Sequence, residues 1–203
     1  MSLAIIKYNA GNVQSVLYAL QRLGVNAIVT DKHDEILAAD KVIFPGVGNA
    51  DSAMKYLKGT GLDQLIVSLK QPVLGICLGL QLLCKSSEEG NIKCLGIFDA
   101  EVKKFDHANA DNQAAGNFKI PHMGWNTIYN LSSSLMKGVA DESYVYYVHS
   151  YYAELTEQTI ATTDYVLPYS AAIQKNNFYG VQFHTEKSAE AGEKILSNFL
   201  KII

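Results

Sequence analysis

Val73-Leu74-Gly75-Ile76-Cys77-Leu78-Gly79 decides the fold. The nearly all-apolar run Val73–Cys77, placed behind Pro72, reads as a strand covered on both faces, the kind found in parallel sheets flanked by helices. An amphipathic helix follows it. Working outward toward the N-terminus, Leu62, Leu65, Ile66 and Leu69 form a helical face, and Lys41–Phe44 reads as a strand ending at Pro45. Ala27–Val29 reads as another strand. Val13, Val16, Leu17, Leu20 and Leu23 recur at helical spacing before Gly24, where a helix would stop, and Leu3–Ile6 opens the alternation. Strand and helix in turn predict an α/β fold, a flavodoxin-like, doubly wound, mainly parallel sheet with helices on both faces.

Outward from the same segment toward the C-terminus the pattern changes. Glu101–Phe105, Asn126–Tyr129, Tyr144–Val148, Thr159–Tyr165, Ala171–Gln174 and Phe178–Phe183 look like strands with short links, which predicts additional antiparallel strands in this half. Ser188 is expected to cap a last helix reaching Leu200, with Glu190 near its positive end. The polar stretch Asp106–Asn117 reads as a mobile loop. With no repeat and no boundary between cores, residues 1–203 are expected to form a single domain.

The chain is 48% hydrophobic and 18% charged with a net charge of −3, and no Lys/Arg cluster offers a surface for nucleic acid or anionic membrane. Leu3–Ile6 is too short for a signal-peptide core or a membrane span, so the cytoplasm is the expected location. Three cysteines, Cys77, Cys84 and Cys94, make neither a disulfide framework nor a metal-ligand spacing. No metal or organic cofactor is expected. A special cysteine here would be a nucleophile.

Gly75-Ile76-Cys77-Leu78-Gly79 has the pattern of a nucleophile elbow: small residues let the chain turn sharply while the central side chain projects into a crevice. The helix that follows offers backbone N–H groups to a thiolate and to a developing oxyanion. The same pentapeptide also reads as a plain strand-to-helix turn with a core cysteine. Near the C-terminus, His184 is expected to end an apolar strand at the crevice, and Glu186, two residues on in an extended chain, to project to the same side. Glu186 would orient His184, and His184 would take the thiol proton. A strand-end histidine beside a solvated glutamate is the plainer reading. Pro45-Gly46-Val47-Gly48, with its free backbone, offers a third piece that can bring N–H groups to a ligand oxygen.

Together these segments resemble the class I glutamine amidotransferases, and within them the glutaminase subunits of imidazole glycerol phosphate synthase. Tyr8-Asn9-Ala10-Gly11-Asn12, Pro121-His122-Met123-Gly124-Trp125-Asn126, Tyr147-Val148-His149-Ser150-Tyr151 and His184-Thr185-Glu186-Lys187-Ser188 add to the resemblance, in the family's order and over nearly the whole chain. The resemblance implies hydrolysis of L-glutamine through Cys77, His184 and Glu186, with Val47 and Leu78 supplying the oxyanion N–H groups. It implies substrate contacts at Gly48, Gln81, Glu89, Ser150 and Tyr151, although Glu88 adjoins Glu89. It further implies ammonia transfer to a (β/α)₈ cyclase partner in histidine biosynthesis, with Trp125, Tyr146 and Lys187 toward that partner. For Trp125 and Tyr146, core packing is the competing assignment. Thr185 stands where the family usually has proline, and its β-branch is expected to keep an extended conformation. Three alternatives remain at this point: a different, sugar-modifying ammonia acceptor, a non-catalytic flavodoxin-like module, and a cysteine hydrolase acting on esters or peptides.

Overall fold

In the computed structural model, which describes residues 1–9, 12–106 and 118–202, four apolar segments of the N-terminal half become strands. These are Leu3–Ile6 (β1), Ile28–Thr30 (β2), Lys41–Gly46 (β3) and Val73–Cys77 (β4). Val13–Arg22 (α1), His33–Leu37 (α2), Ala50–Thr60 (α3), Leu62–Ser68 (α4) and Leu78–Leu83 (α5) are the helices between and after them. α1 and α4 fall where the periodicity places them, whereas α2 and α3 have no counterpart in the sequence reading. The predicted loop lies almost wholly in residues 107–117, outside the described residues, as do Ala10 and Gly11 of the opening motif.

Alternate side chains of each buried strand feed opposite cores. Leu3, Ile5, Ile43, Leu74 and Ile76 pack with Val16 and Leu20 of α1 on one face. On the other, Ala4, Ile6, Val42, Phe44 and Val73 pack with Leu57 of α3 and Leu62 and Ile66 of α4. Each such buried Val, Leu, Ile or Phe contributes about 1.5–3 kcal/mol relative to exposure, and a strand can collect that on both faces only where helices cover both. This accounts for the unbroken apolar run that the sheet centre requires.

The second half adds the short strands Ser86–Ser87 (β5), Ile92–Lys93 (β6) and Glu101–Lys104 (β7), then His122–Ile128 (β8), Ser143–His149 (β9) and Tyr151–Ala153 (β10). Thr159–Tyr165 (β11), Leu167–Lys175 (β12) and Phe178–Val181 (β13) precede the last helix, Ala189–Lys201 (α6). The main sheet runs β11-β12-β13-β4-β3-β1-β2. β13 joins β4 in parallel, and β12 and β11 extend the edge antiparallel. β8 and β9 form a separate antiparallel pair, and β10-β7-β5-β6 a small third sheet.

Two local expectations are corrected. Ser188 precedes α6 but does not cap it: its hydroxyl donates to the His184 carbonyl at 2.6 Å and accepts the Tyr146 N–H at 2.9 Å. The pull of those two backbone groups wins over the helix end. His184 does not end a strand either, because β13 stops at Val181 and the chain turns out of the sheet before reaching it.

Candidate active site

Cys77 closes β4, the middle strand of the seven, where a crevice forms beyond the carboxyl ends of the parallel strands. Its backbone has φ 54° and ψ −109°, a conformation that costs a residue with a Cβ about 1–3 kcal/mol and survives only where neighbours enforce it. The flanking glycines explain the enforcement. A Cβ at Gly79 would drive into the Phe44 carbonyl, and one at Gly75 would meet Leu83 at 2.7 Å, so both positions let α5 lie directly against β3 and β4. The elbow reading therefore holds as geometry, with α5 beginning at the very next residue.

A cleft of about 360 Å³ opens over Cys77. Val47 and Leu78 line it beside Cys77 and His184, as do Gly48, Gln81, Glu89, Ser150, Tyr151 and Lys187. The backbone thus brings together residues as far apart in sequence as Val47 and Lys187. Glu186 stands behind His184, where its Oε1 meets Nδ1 at 2.8 Å, and only 4% of the His184 side chain and 1% of the Glu186 side chain are exposed. Burial alone would push His184 down, but hydrogen bonds to Cys77 and Glu186, with the charges of both, push it up to about 10. The plainer reading of a solvated glutamate fails on this burial.

The route to that contact differs from the expected one. Thr185–Lys187 is a single 3-10 turn rather than an extended segment, with the Lys187 N–H donating to the His184 carbonyl at 3.0 Å. The turn folds Glu186 back onto the imidazole. The Thr185 hydroxyl and Glu186 Oε2 are buried without a hydrogen-bond partner among the described residues.

Gly46 lies in register with Cys77 across β3 and β4, so Val47 and Gly48 emerge level with the sulfur. The segment is tied from behind by Tyr8, whose buried hydroxyl donates to the Pro45 carbonyl at 2.7 Å and whose phenol is pushed up by burial. Glu89 Oε2 accepts the Ala50 N–H at 2.7 Å at the start of α3. Glu88 turns away, accepting the Lys104 N–H at 2.7 Å, which separates the two neighbouring glutamates. Gln81 Nε2 donates to the Tyr151 carbonyl at 2.9 Å and to Gln182 Oε1 at 3.0 Å.

Trp125 and Tyr146 lie outside the cleft, opposite each other on β8 and β9, with ring centroids 5.8 Å apart. Trp125 is 51% exposed, so core packing does not hold it, while Tyr146 is half-buried. Lys187 Nζ sits 5.7 Å from the Tyr146 ring, joining this outer face to the cleft. Met123 and Tyr144 are exposed on the same two strands.

Sequence reasoning gave no role to Tyr8, His149 or Gln182. His149 lines the cleft, donating from Nδ1 to the Tyr151 carbonyl at 2.7 Å. Tyr169 reaches both His149 Nε2 and His122 Nδ1 at 3.3 Å, and burial pushes the two imidazoles down to about 3 and about 4 respectively. The period-two alternation of β9, which turns Tyr147 and His149 inward, was the available signal. Among the described residues no His, Cys, Asp or Glu side chains gather in a set able to hold a metal ion, and no helix is long and apolar enough to cross a membrane.

Over residues 4–203 the sequence matches the family described as Glutamine amidotransferase class-I. An imidazole glycerol phosphate synthase subunit HisH from Bacteroides fragilis is 57% identical over 202 residues, covering 100% of both chains. The subunit of the same name from Bacteroides thetaiotaomicron is 53% identical, again over 100% of both, and that from Yersinia pseudotuberculosis 44%. Among solved structures, one described as a glutamine amidotransferase has a TM-score of 0.72 at 17% identity, covering 98% of this chain and 97% of its own. Another, a glutamine amidotransferase from Thermotoga maritima, has a TM-score of 0.63 at 18% identity, covering 99% of this chain and 83% of its own. These two speak for the fold, and the full-length sequence match speaks for descent. The chain belongs to the class-I glutamine amidotransferases.

Proposed function

We propose that this chain is the glutaminase subunit of an imidazole glycerol phosphate synthase, one domain over residues 1–203, acting in the cytoplasm. The observation that carries the reading is the convergence of Cys77 and His184 in one cleft, with Glu186 hydrogen-bonded to His184 from behind, in a chain 57% identical to a subunit of that name.

Cys77 Sγ attacks the side-chain amide carbon of glutamine after passing its proton to His184, whose raised basicity favours holding it. Glu186 orients the imidazole and stabilises its charge. The oxyanion is received by the backbone N–H of Leu78 and by that of Val47 once its peptide faces inward. Loss of one such donor typically costs about 10²–10³ in turnover. His184 then protonates the departing nitrogen, the C–N bond breaks, and ammonia leaves a thioester on Cys77. Water attacks the thioester carbon, gives its proton to His184, and releases glutamate with the thiol restored.

Glutamine is positioned by Gly48, Gln81 and Glu89 and by backbone groups of Ser150 and Tyr151. The Glu89 oxygen not engaged by Ala50 suits the substrate's ammonium group. Ammonia passes to a (β/α)₈ cyclase that docks on the face carrying Trp125, Tyr146 and Lys187. There it reacts with a phosphoribosyl-formimino aminoimidazole carboxamide ribonucleotide to give imidazole glycerol phosphate and an aminoimidazole carboxamide ribonucleotide.

The test is glutamate release from glutamine by this chain with its genome's own cyclase, with and without the cyclase ribonucleotide. Strong ribonucleotide-dependent release that vanishes in Cys77→Ala is expected. Release without any stimulation by cyclase and ribonucleotide would direct the ammonia to a different acceptor.

A further inference from the structure

We infer that Gln182 is a positioning residue of this glutaminase site, one that presents an N–H to the Cys77 sulfur and fixes the amide of Gln81 toward substrate. The inference rests on the glutaminase reading above.

Gln182 follows β13 and is fully buried, with its backbone N–H donating to the Ala171 carbonyl at 2.8 Å. A buried primary amide is expensive unless both ends find partners, and an apolar side chain would fill the same space without that demand. Here both partners belong to the cleft. Nε2 donates to Cys77 Sγ at 3.7 Å, and Oε1 accepts Gln81 Nε2 at 3.0 Å.

The sulfur has a partner for each of its states. As a thiol it faces the Val148 carbonyl, 3.9 Å away, which only accepts. Once the proton moves to His184, the anionic sulfur needs donors, and Gln182 Nε2 is one already in place. A hydrogen bond to an ionised acceptor is roughly twice as strong as a neutral one.

The other end of Gln182 acts on Gln81. Both Nε2 hydrogens of Gln81 are committed, one to the Tyr151 carbonyl at 2.9 Å and one to Gln182. Gln81 Oε1 is therefore the polar atom of that amide left for a substrate donor. The Tyr151 carbonyl is itself held by His149 Nδ1 at 2.7 Å, which leaves His149 Nε2 as acceptor for the Tyr169 hydroxyl. In this orientation the amide nitrogen and oxygen of Gln182 and the amide nitrogen of Gln81 all face complementary atoms, so flipping either amide breaks the line.

Two variants separate the two roles. Gln182→Glu keeps the size and an oxygen for Gln81 but removes the donor to sulfur, whereas Gln182→Met keeps the volume and removes both contacts. Measured with the cognate cyclase, Gln182→Glu is expected to lower kcat about tenfold, the worth of one charge-assisted hydrogen bond, with glutamine KM nearly unchanged. Gln182→Met is expected to lower kcat similarly and also to raise KM severalfold. Alkylation of Cys77 by iodoacetamide at fixed pH should slow in both, a readout that does not require glutaminase activity. If either variant fails to fold by circular dichroism, the ¹⁵N-labelled wild-type chain decides: the Gln182 side-chain amide signals should shift when Cys77 is alkylated. Unaltered kcat and alkylation rate in folded variants, or unmoved amide signals, would overturn the inference. A wild-type chain that alkylates with these amide shifts yet releases no glutamate with the cyclase would instead overturn the glutaminase reading.

Discussion

The Tyr8 hydroxyl donates to the Pro45 carbonyl at 2.7 Å, so the exit of β1 holds the start of the glycine-flanked segment that borders the cleft. In Tyr8→Phe that buried carbonyl loses its donor, at a cost of about 1–3 kcal/mol. Urea unfolding should register this loss. Because Val47 and Gly48 are then less firmly aimed, glutamate release with the cyclase should show a lower kcat and little change in KM.

Electrophiles should single out Cys77. Burial raises the Cys84 thiol well above its ordinary range and pushes Cys94 up to about 12, so neither supplies thiolate near neutral pH. A glutamine-like electrophile at pH 7.5 is expected to add once, at Cys77, and not at all in Cys77→Ala. Mass spectrometry of the intact chain and its peptides reads this directly.

His184 should stay protonated through neutral pH. Its folded value of about 10 lies above the ordinary 6.5, so the linked stability is fully present below pH 6.5 and is lost as pH rises through about 10. In Glu186→Gln the supporting charge is gone, and the His184 ring signals in ¹⁵N NMR should titrate at lower pH than in wild type. Equal titration in the two proteins would remove Glu186 from the orienting role.

The pair His122 and His149 works in the opposite direction. Burial holds them down at about 4 and about 3, while the unfolded chain takes up protons near 6.5. Their linked stability is present above pH 6.5 and is lost as pH falls toward 4, a drop on the order of a few kcal/mol. Urea midpoints between pH 7 and 4 should fall steeply in wild type and less steeply in His122→Gln.

Thr185→Pro should stabilise the chain. Residue 185 opens the 3-10 turn, where the fixed φ of proline fits, and His184 before it already has φ −84° and ψ 100°, the extended region that a following proline favours. The change also removes a buried hydroxyl that has no partner among the described residues. A gain of about 0.4–1 kcal/mol is expected from reduced freedom of the unfolded chain, visible as a higher melting temperature.

The parallel half of the fold was legible because its signals are local: an apolar run such as Val73–Cys77 can satisfy itself only between two helical layers. α3 was not, since its buried face is built largely from Ala50, Ala53 and Met54, whose periodicity is faint beside that of leucine-rich α4. Cys77 could be singled out from its flanking glycines, but the plainer alternatives for His184 and Glu186 fell only to their burial and mutual contact in the folded chain. Which of Glu88 and Glu89 faces the cleft depends on a hydrogen bond to Ala50, thirty-nine positions away from Glu89 in sequence, and no local pattern encodes it. Gln182 sat inside an apparent apolar strand, where a buried amide looks like any other core position until its partners are known.

Ser188, displaced from its helix-capping role, fastens two pieces of chain together. The Tyr146 carbonyl accepts the His184 N–H at 2.9 Å, the Ser188 hydroxyl accepts the Tyr146 N–H at 2.9 Å, and it donates in turn to the His184 carbonyl at 2.6 Å. This closed clasp leaves no slack between β9 and the imidazole. The strand that presents Tyr146 to the outer face and the segment that presents His184 to the cleft are thus joined at the level of the backbone, one residue from each closing the same hydrogen-bonded ring.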